Sequence, residues 1–167
     1  MAMADVRRFV EAYWGYAQQM EQDTNVPALV VLSQSALETG WGLHCPSNMM
    51  FGIKAGRTWR GKRQLLLTTE YHADDTHKYP EILSIEQVAP GRWKYRVRDW
   101  FRAYASPYDS FMDYAQLLRK FKRYRRAFEF VDDPDLFLIE IARAGYSTTM
   151  NYYDRVKACM EMIKVYV

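Results

Sequence analysis

Ala36-Leu37-Glu38-Thr39-Gly40-Trp41-Gly42 is the stretch from which the fold of this 167-residue chain is read. Upstream of it, Ala28, Val31, Leu32, Ser35 and Ala36 recur at three- and four-residue spacings, which predicts a helix from Pro27 to Thr39. Pro27 suits the first turn, and Gly40 suits the left-handed residue just past the last. Glu38 then stands in the final turn of a mostly apolar helix, beside the bend at Gly40 and the ring of Trp41. The negative end of the helix dipole and a neighbouring aromatic both disfavour an ionised carboxyl. The expectation is a raised pKa and a side chain suited to general-acid work. A solvated glutamate that merely ends a helix has the same spacing, so these residues alone name only a candidate.

Composition bounds the rest. The length suits one compact domain, residues 1–167, with a sizeable core. The 13 Tyr, 8 Phe and 5 Trp pack cores, and such rings also stack on sugars and bases. A net charge of +3 selects no partner. Cys45 and Cys159 are too few for a disulfide framework and are read as buried free thiols. No run reaches the apolar length of a membrane span, and the N-terminus lacks the order of a signal peptide. It begins instead an amphipathic helix with Val6, Phe9, Val10, Tyr13, Ala17 and Met20 on one side. Work outside the cytoplasm would therefore call for a dedicated export route or release by lysis.

Along the chain, Asp23-Thr24-Asn25 is a polar break able to cap the Pro27 helix. Gly52 and Gly56, in an apolar setting, suggest backbone that turns tightly or approaches a ligand. From Arg63 the period changes to two. Leu65, Leu67, Thr69 and Tyr71 alternate with Leu66, Thr68 and Glu70, and two further strands follow at 81–88 and 93–98. Strands this short need support, so a small β-lobe over about 63–104 is expected. Ser106-Pro107 opens a helix with Phe111, Tyr114, Leu118 and Phe121 inward. Asp132-Asp133-Pro134 opens another through Leu136, Ile139 and Ala142, and Val156, Cys159, Met160 and Ile163 mark the last. The class is α+β, mainly helical.

Glu70 is the natural second carboxyl, since paired carboxyls in unlike environments are the machinery of glycoside hydrolysis; Asp74, Asp75, Glu81 and Glu86 compete with it. His44, His72 and His77 lie at no metal-ligand spacing, so no metal or cofactor is expected. No serine or cysteine sits in a nucleophile motif, and no phosphate-cradling loop occurs. The densest charge is Arg119, Lys120, Lys122, Arg123, Arg125 and Arg126. It reads as the solvated C-terminal turns of a helix or as a contact for a polyanion. A bacterial wall is polyanionic too, so no nucleic-acid partner is expected.

Taken together these blocks resemble the bacterial N-acetylglucosaminidase domains of glycoside hydrolase family 73, found in autolysins, phage lysins and flagellar rod-associated peptidoglycan hydrolases. Gln34 to Gly42 is similar to the first catalytic block, and Asn48-Met49-Met50-Phe51-Gly52-Ile53-Lys54 to the "N-L-F-G-I-K" loop. Thr68-Thr69-Glu70-Tyr71 resembles the "T-T-E-Y" strand, and Phe101-Arg102-Ala103-Tyr104 the block after the hairpin. Ala144-Gly145-Tyr146-Ser147-Thr148, then Tyr152, is similar to the last block, with Thr149-Met150 where Asp and Pro are usual. The interval from Glu70 to Phe101 is long for the family, implying an enlarged β-lobe. The resemblance implies a lysozyme-like fold whose helical lobe and β-lobe flank a groove, and endo-hydrolysis after N-acetylglucosamine in peptidoglycan glycan strands. It makes Glu38 the general acid, Glu70 the second carboxylate and Tyr146 the hydroxyl beside the reacting sugar. Trp41, Asn48, Phe51 and Tyr152 become groove-lining residues. Muramidase or lytic transglycosylase action and a silent wall-binding module are the alternatives. An interbacterial toxin role would add an immunity protein as partner.

Overall fold

A computed structural model describes residues 2–167; Met1, where the single-domain expectation begins, lies outside the described residues. The chain runs α1 (Met3–Thr24), α2 (Ala28–Thr39), a 3-10 turn (Pro46–Asn48), β1 (Arg63–His72), β2 (Glu81–Ala89), β3 (Arg92–Arg102), α3 (Pro107–Lys120), a 3-10 segment (Lys122–Phe130), α4 (Pro134–Arg143) and α5 (Tyr152–Ile163). It is α+β, and it divides into two compact units. One is helical, built from the chain up to Phe51 and from Ala105 to Val167; the other is the sheet unit, Gly52–Tyr104.

In the helical unit, α2 is the central element. Val30, Val31, Leu32, Ser33, Gln34, Ser35 and Ala36 are all buried, as expected of a helix packed on several sides. It meets α1 and α5, whose buried stripes are Val6, Phe9, Val10, Ala17 and Met20 on one and Val156, Cys159, Met160 and Ile163 on the other. Both thiols are free; Cys159 is buried, while Cys45 is only half-buried. The cap of α2 differs from expectation. Helix α1 continues to Thr24, Pro27 carries no side-chain cap, and Glu21 Oε2 accepts from the Ala28 N–H at 3.1 Å instead. Ser106 and Asp133 do cap α3 and α4, accepting from the Asp109 and Leu136 amides.

Two apolar stripes are corrected. Helix α3 ends at Lys120, so Phe121 leaves the stripe and is exposed. In α4 the buried residues are Phe137, Leu138, Glu140 and Ile141, while Leu136 is exposed and Ile139 and Ala142 are half-buried. The phase is set by Phe137, which meets Phe128 edge-on at 5.4 Å.

The sheet unit holds three antiparallel strands in the order β1-β3-β2. Glu70 stands opposite Tyr95, Thr68 opposite Val97 and Leu66 opposite Asp99. These residues share one face with Phe101, and Tyr95, Val97 and Phe101 are its buried members. The loop after β1 folds over Tyr95, whose hydroxyl donates to the Asp74 carbonyl at 3.1 Å, with His72 and His77 stacked nearby at 3.6 Å. The other face holds Leu65, Leu67 and Tyr71 against Trp100, Arg98 and Lys94, and it is open. Edge strand β2 is exposed throughout and interrupted twice in its register, which blunts it as a template for pairing. The unit starts well before residue 63 because the loop is tied to β3: Ala55 N–H donates to Trp100 O and Arg102 N–H to Ile53 O, both at 2.9 Å.

Candidate active site

Helix α2 ends as its sequence predicts. Gly40 is left-handed at φ 58°, and the amides of Gly40 and Trp41 both return to the Ala36 carbonyl. Thr39 Oγ1 accepts from Gly42 N–H at 2.8 Å, and Gly42 is itself left-handed at φ 81°. A Cβ at Gly42 would come within 3.2 Å of both Phe9 and Tyr13, so this position needs glycine for space as well as for its φ. The tight double turn leaves Glu38 in the last turn of α2, exposed to solvent.

The Glu38 carboxyl is pushed above its ordinary range by partial loss of water, opposed by the positive charge of Arg155 on α5. The ring expected to dry it is elsewhere. Trp41, itself left-handed at φ 61°, is buried and meets Phe9 edge-on at 5.6 Å, so it packs the core and offers little surface to a ligand. Tyrosines take its place. The charge of Glu38 acts on both Tyr146 and Tyr152, and burial raises both phenols far above their usual range.

Those phenols belong to a network the sequence did not announce. Tyr114 Oη donates to Gln34 Oε1 at 2.5 Å, and Gln34 Nε2 donates to Tyr152 Oη at 2.8 Å. The hydroxyls of Tyr114 and Tyr146 also interact with each other. Gln34 is fully buried, so its carboxamide fixes the orientation of two phenols directly and a third through Tyr114. Tyr146 is half-buried and lies 5.3 Å from the Tyr152 ring and 5.9 Å from that of Tyr114. Glu38, Tyr146 and Tyr152 are thus assembled in the helical unit. Gln34 stood within the quoted motif, yet its role could be seen only with α3 and α5 folded onto α2.

Two other groove-lining expectations are reassigned or sharpened. Phe51 is buried and stacks on Tyr114 at 3.9 Å, supporting the tyrosine network from behind instead of facing a ligand. Asn48 is half-buried and left-handed at φ 57°, next to left-handed Ser47 at φ 50°. Strained non-glycine backbone of this kind clusters at functional loops. Gly52 and Gly56, by contrast, have ordinary φ and no close neighbour; Gly56 opens a turn closed by the Trp59 N–H on its carbonyl at 3.0 Å, which needs no glycine φ.

Glu70 sits in the sheet unit and is held. Lys54 Nζ lies 2.6 Å from Glu70 Oε1 and 2.8 Å from Asp99 Oδ2, so one ammonium bridges two carboxylates of the same sheet face. Lys54 is kept charged: its own desolvation opposes this, but the two carboxylates outweigh it. The bridge of Lys54 to Phe101 across the backbone, and its ammonium 4.7 Å over the Phe101 ring, fix where that charge stands. Asp99 carried no signal in the sequence. Of the rival carboxyls, Asp74 is taken by the Thr76 amide and Glu81 by Arg98 at 2.9 Å, both exposed.

Among the described residues no three His, Cys, Asp or Glu side chains gather to hold a metal, and no helix is long and apolar enough to cross a membrane. A concavity of about 530 Å³ along α1, lined by Glu11, Tyr16 and Tyr108, contains none of the candidate residues.

Comparison with known proteins places this geometry. The model of the glucosaminidase family, described as mannosyl-glycoprotein endo-beta-N-acetylglucosaminidase, matches residues 14–165. The peptidoglycan hydrolase FlgJ of Vibrio cholerae is 33% identical over 95% of this chain and 45% of its own length. Its counterpart in Pseudomonas aeruginosa is 30% identical over 98% of this chain and 38% of its own length. This chain thus spans half or less of the length of the curated relatives it matches. The C-terminally truncated glycoside hydrolase domain of Salmonella typhimurium FlgJ superposes with a TM-score of 0.75 at 25% identity, covering 97% of this chain and 99% of that one. A mutant peptidoglycan hydrolase from Sphingomonas sp. A1 matches with a TM-score of 0.68 at 32% identity, over 92% of each chain.

Proposed function

This chain belongs to the glucosaminidase family, and we propose that it is an endo-β-N-acetylglucosaminidase acting on the glycan strands of bacterial peptidoglycan. The observation that carries the proposal is Glu38: a carboxyl raised by desolvation at a glycine-closed helix end, next to oriented phenols. A carboxylic acid that keeps its proton toward neutral pH can give it to a glycosidic oxygen as the bond breaks. Tyr146, aligned through Tyr114 and Gln34, orients the acetamido group or the attacking water by its hydroxyl. Glu70 is the second carboxylate, by its motif, and Lys54 holds it in one orientation. Of the groove-lining candidates, Asn48 keeps that role in the proposal; Tyr152 acts with Tyr146, and Trp41 and Phe51 are packing residues.

The setting follows from the substrate: a site of action in the periplasm or wall, and inhibition by any protein partner that covers Glu38. Purified peptidoglycan is digested, reduced with borohydride and analysed by mass spectrometry. Reduced N-acetylglucosaminitol ends are expected. Reduced muramitol ends would make the enzyme a muramidase, and anhydro-muramic ends a lytic transglycosylase. Sacculi that are bound but uncut would replace catalysis by a binding role.

A further inference from the structure

The charge of this chain is divided unevenly. The sheet unit, residues 52–104, holds eleven Lys and Arg against six Asp and Glu, while the remainder holds twelve against fourteen. Within the sheet unit the cations gather on one face. Register places Arg63, Arg96, Arg98, Lys94 and Arg102 on the side opposite Glu70 and Asp99, and Arg92 joins them by lying over Tyr71. Glu81 and Glu86 are the acids of that face, and Arg98 is paired with the first. Along the eleven residues of β3 this makes a cationic strip roughly 33 Å long.

The strip is also apolar and ordered. Leu65, Leu67 and Tyr71 are exposed along it. The Arg63 guanidinium lies 3.9 Å over Trp100 and that of Arg92 4.4 Å over Tyr71, while Arg96 donates to Thr69 Oγ1 at 2.9 Å. A guanidinium held over a ring has less rotamer freedom left to lose when its N–H groups take up an anion. Carboxylates are the planar anions it fits, taken in bidentate fashion. Solvated lysines scattered on a face would have neither property.

We propose that this outer face of the sheet binds carboxylate-bearing peptides with small alkyl side chains, the chemistry of the peptide stems of the wall polymer. The proposal rests on the wall-polymer reading above. The strip lies on the sheet face away from Glu70, so it grips stems of the surrounding network and serves retention on the polymer, not bond cleavage. Leu67 stands opposite Arg98 and Leu65 opposite Trp100, so alkyl groups of β1 lie beside the cations of β3, suiting a ligand that carries both carboxylates and methyl-sized side chains.

The test is binding to sacculi stripped of phosphate polymers, read by co-sedimentation in a Glu38→Gln background so that digestion does not interfere. Replacing Arg63, Arg92, Lys94 and Arg96 by glutamine is expected to weaken binding tenfold or more at low salt, with the difference collapsing near 1 M salt. Amidating the stem carboxylates of the sacculi should lower binding of the unsubstituted strip to the same level, a readout that needs no sheet variant to fold. Equal binding by a folded strip variant, or indifference to amidation, overturns the inference. Failure to cut any glycan would remove the glucosaminidase reading while leaving this binding result intact.

Discussion

The two candidate carboxyls, Glu38 and Glu70, sit in opposite electrostatic surroundings. Glu38 ends a helix in the helical unit, loses water, and has only the distant pull of Arg155 to favour its charge. Glu70 lies on a strand of the sheet unit and is bridged by a lysine that also grips Asp99. In the proposed mechanism the first is the proton donor and the second the partner carboxyl held in one orientation. The contrast also separates kinds of dependence. Glu38 owes its raised pKa to partial loss of water, and Glu70 its orientation to one side chain.

The largest expected effect comes from removing the donor. Glu38→Gln preserves shape and should lower kcat by roughly a hundredfold or more without loss of fold, measured as release of reducing ends. Near-parental turnover would end the comparison. A stability readout sharpens it. The folded chain holds the Glu38 proton more tightly than the unfolded chain, so that contribution is complete below the ordinary glutamate range and fades as pH rises through the raised value. Glu38→Gln has nothing to lose over that window, so its Tm should exceed the parent's at neutral pH and converge with it as the pH falls below the ordinary glutamate range.

Next is the network behind the donor. Gln34→Leu leaves the buried hydroxyls of Tyr114 and Tyr152 without their amide partner. Thermal unfolding should show a loss of roughly 3 kcal/mol, since each stranded buried polar group costs about 1–3 kcal/mol. Gln34→Glu, which keeps the volume and an acceptor, should recover part of the Tm but little of the rate, because Tyr152 loses an N–H donor.

Lys54→Met acts on the other side of the comparison. It leaves Glu70 and Asp99 facing each other on one sheet face with no cation between them. Without the cation that fixes it, Glu70 no longer stands in one orientation, so kcat should fall roughly tenfold with KM changed less. Lys54→Arg should restore much of the rate. A lower Tm with unchanged kcat would make the bridge structural only.

What could be read in the sequence follows the range of the interactions. The C-terminal end of α2, the caps of α3 and α4 and the alternation of β1 are set within a few residues, and these were legible. The phase of α4 was not, because it depends on Phe137 meeting Phe128 from a segment with no helical period of its own. The site divides in the same way. Glu38 is announced by its helix end, but the tyrosines around it, the Gln34 bridge and Asp99 are brought in by contacts 45 to 118 residues apart along the chain. Trp41 shows the hazard of adjacency: next to the acid in sequence, its ring packs on Phe9.

Charge gives the smallest predicted effect and a contrast of its own. The six basic residues of 119–126 are the densest in the sequence, yet the structure spends several of them internally. Arg119 donates to the Thr24 carbonyl and lies 4.7 Å over Phe128, and Arg126 reaches Glu140, a nearly buried acid, at 3.4 Å. Arg123 leans on Tyr124 at 4.8 Å. Density along the chain therefore overstates this segment as a polyanion contact, while the sheet strip, diluted over forty residues of sequence, is concentrated by register. Neutralising Arg123 and Arg125 together should change sacculus affinity less than twofold at low salt, against tenfold for the strip. Arg126→Gln should cost about 1 kcal/mol by thermal unfolding, because Glu140 keeps only Arg143 as partner. A large affinity loss from Arg123 and Arg125 would reverse the ranking and return wall retention to the helical unit.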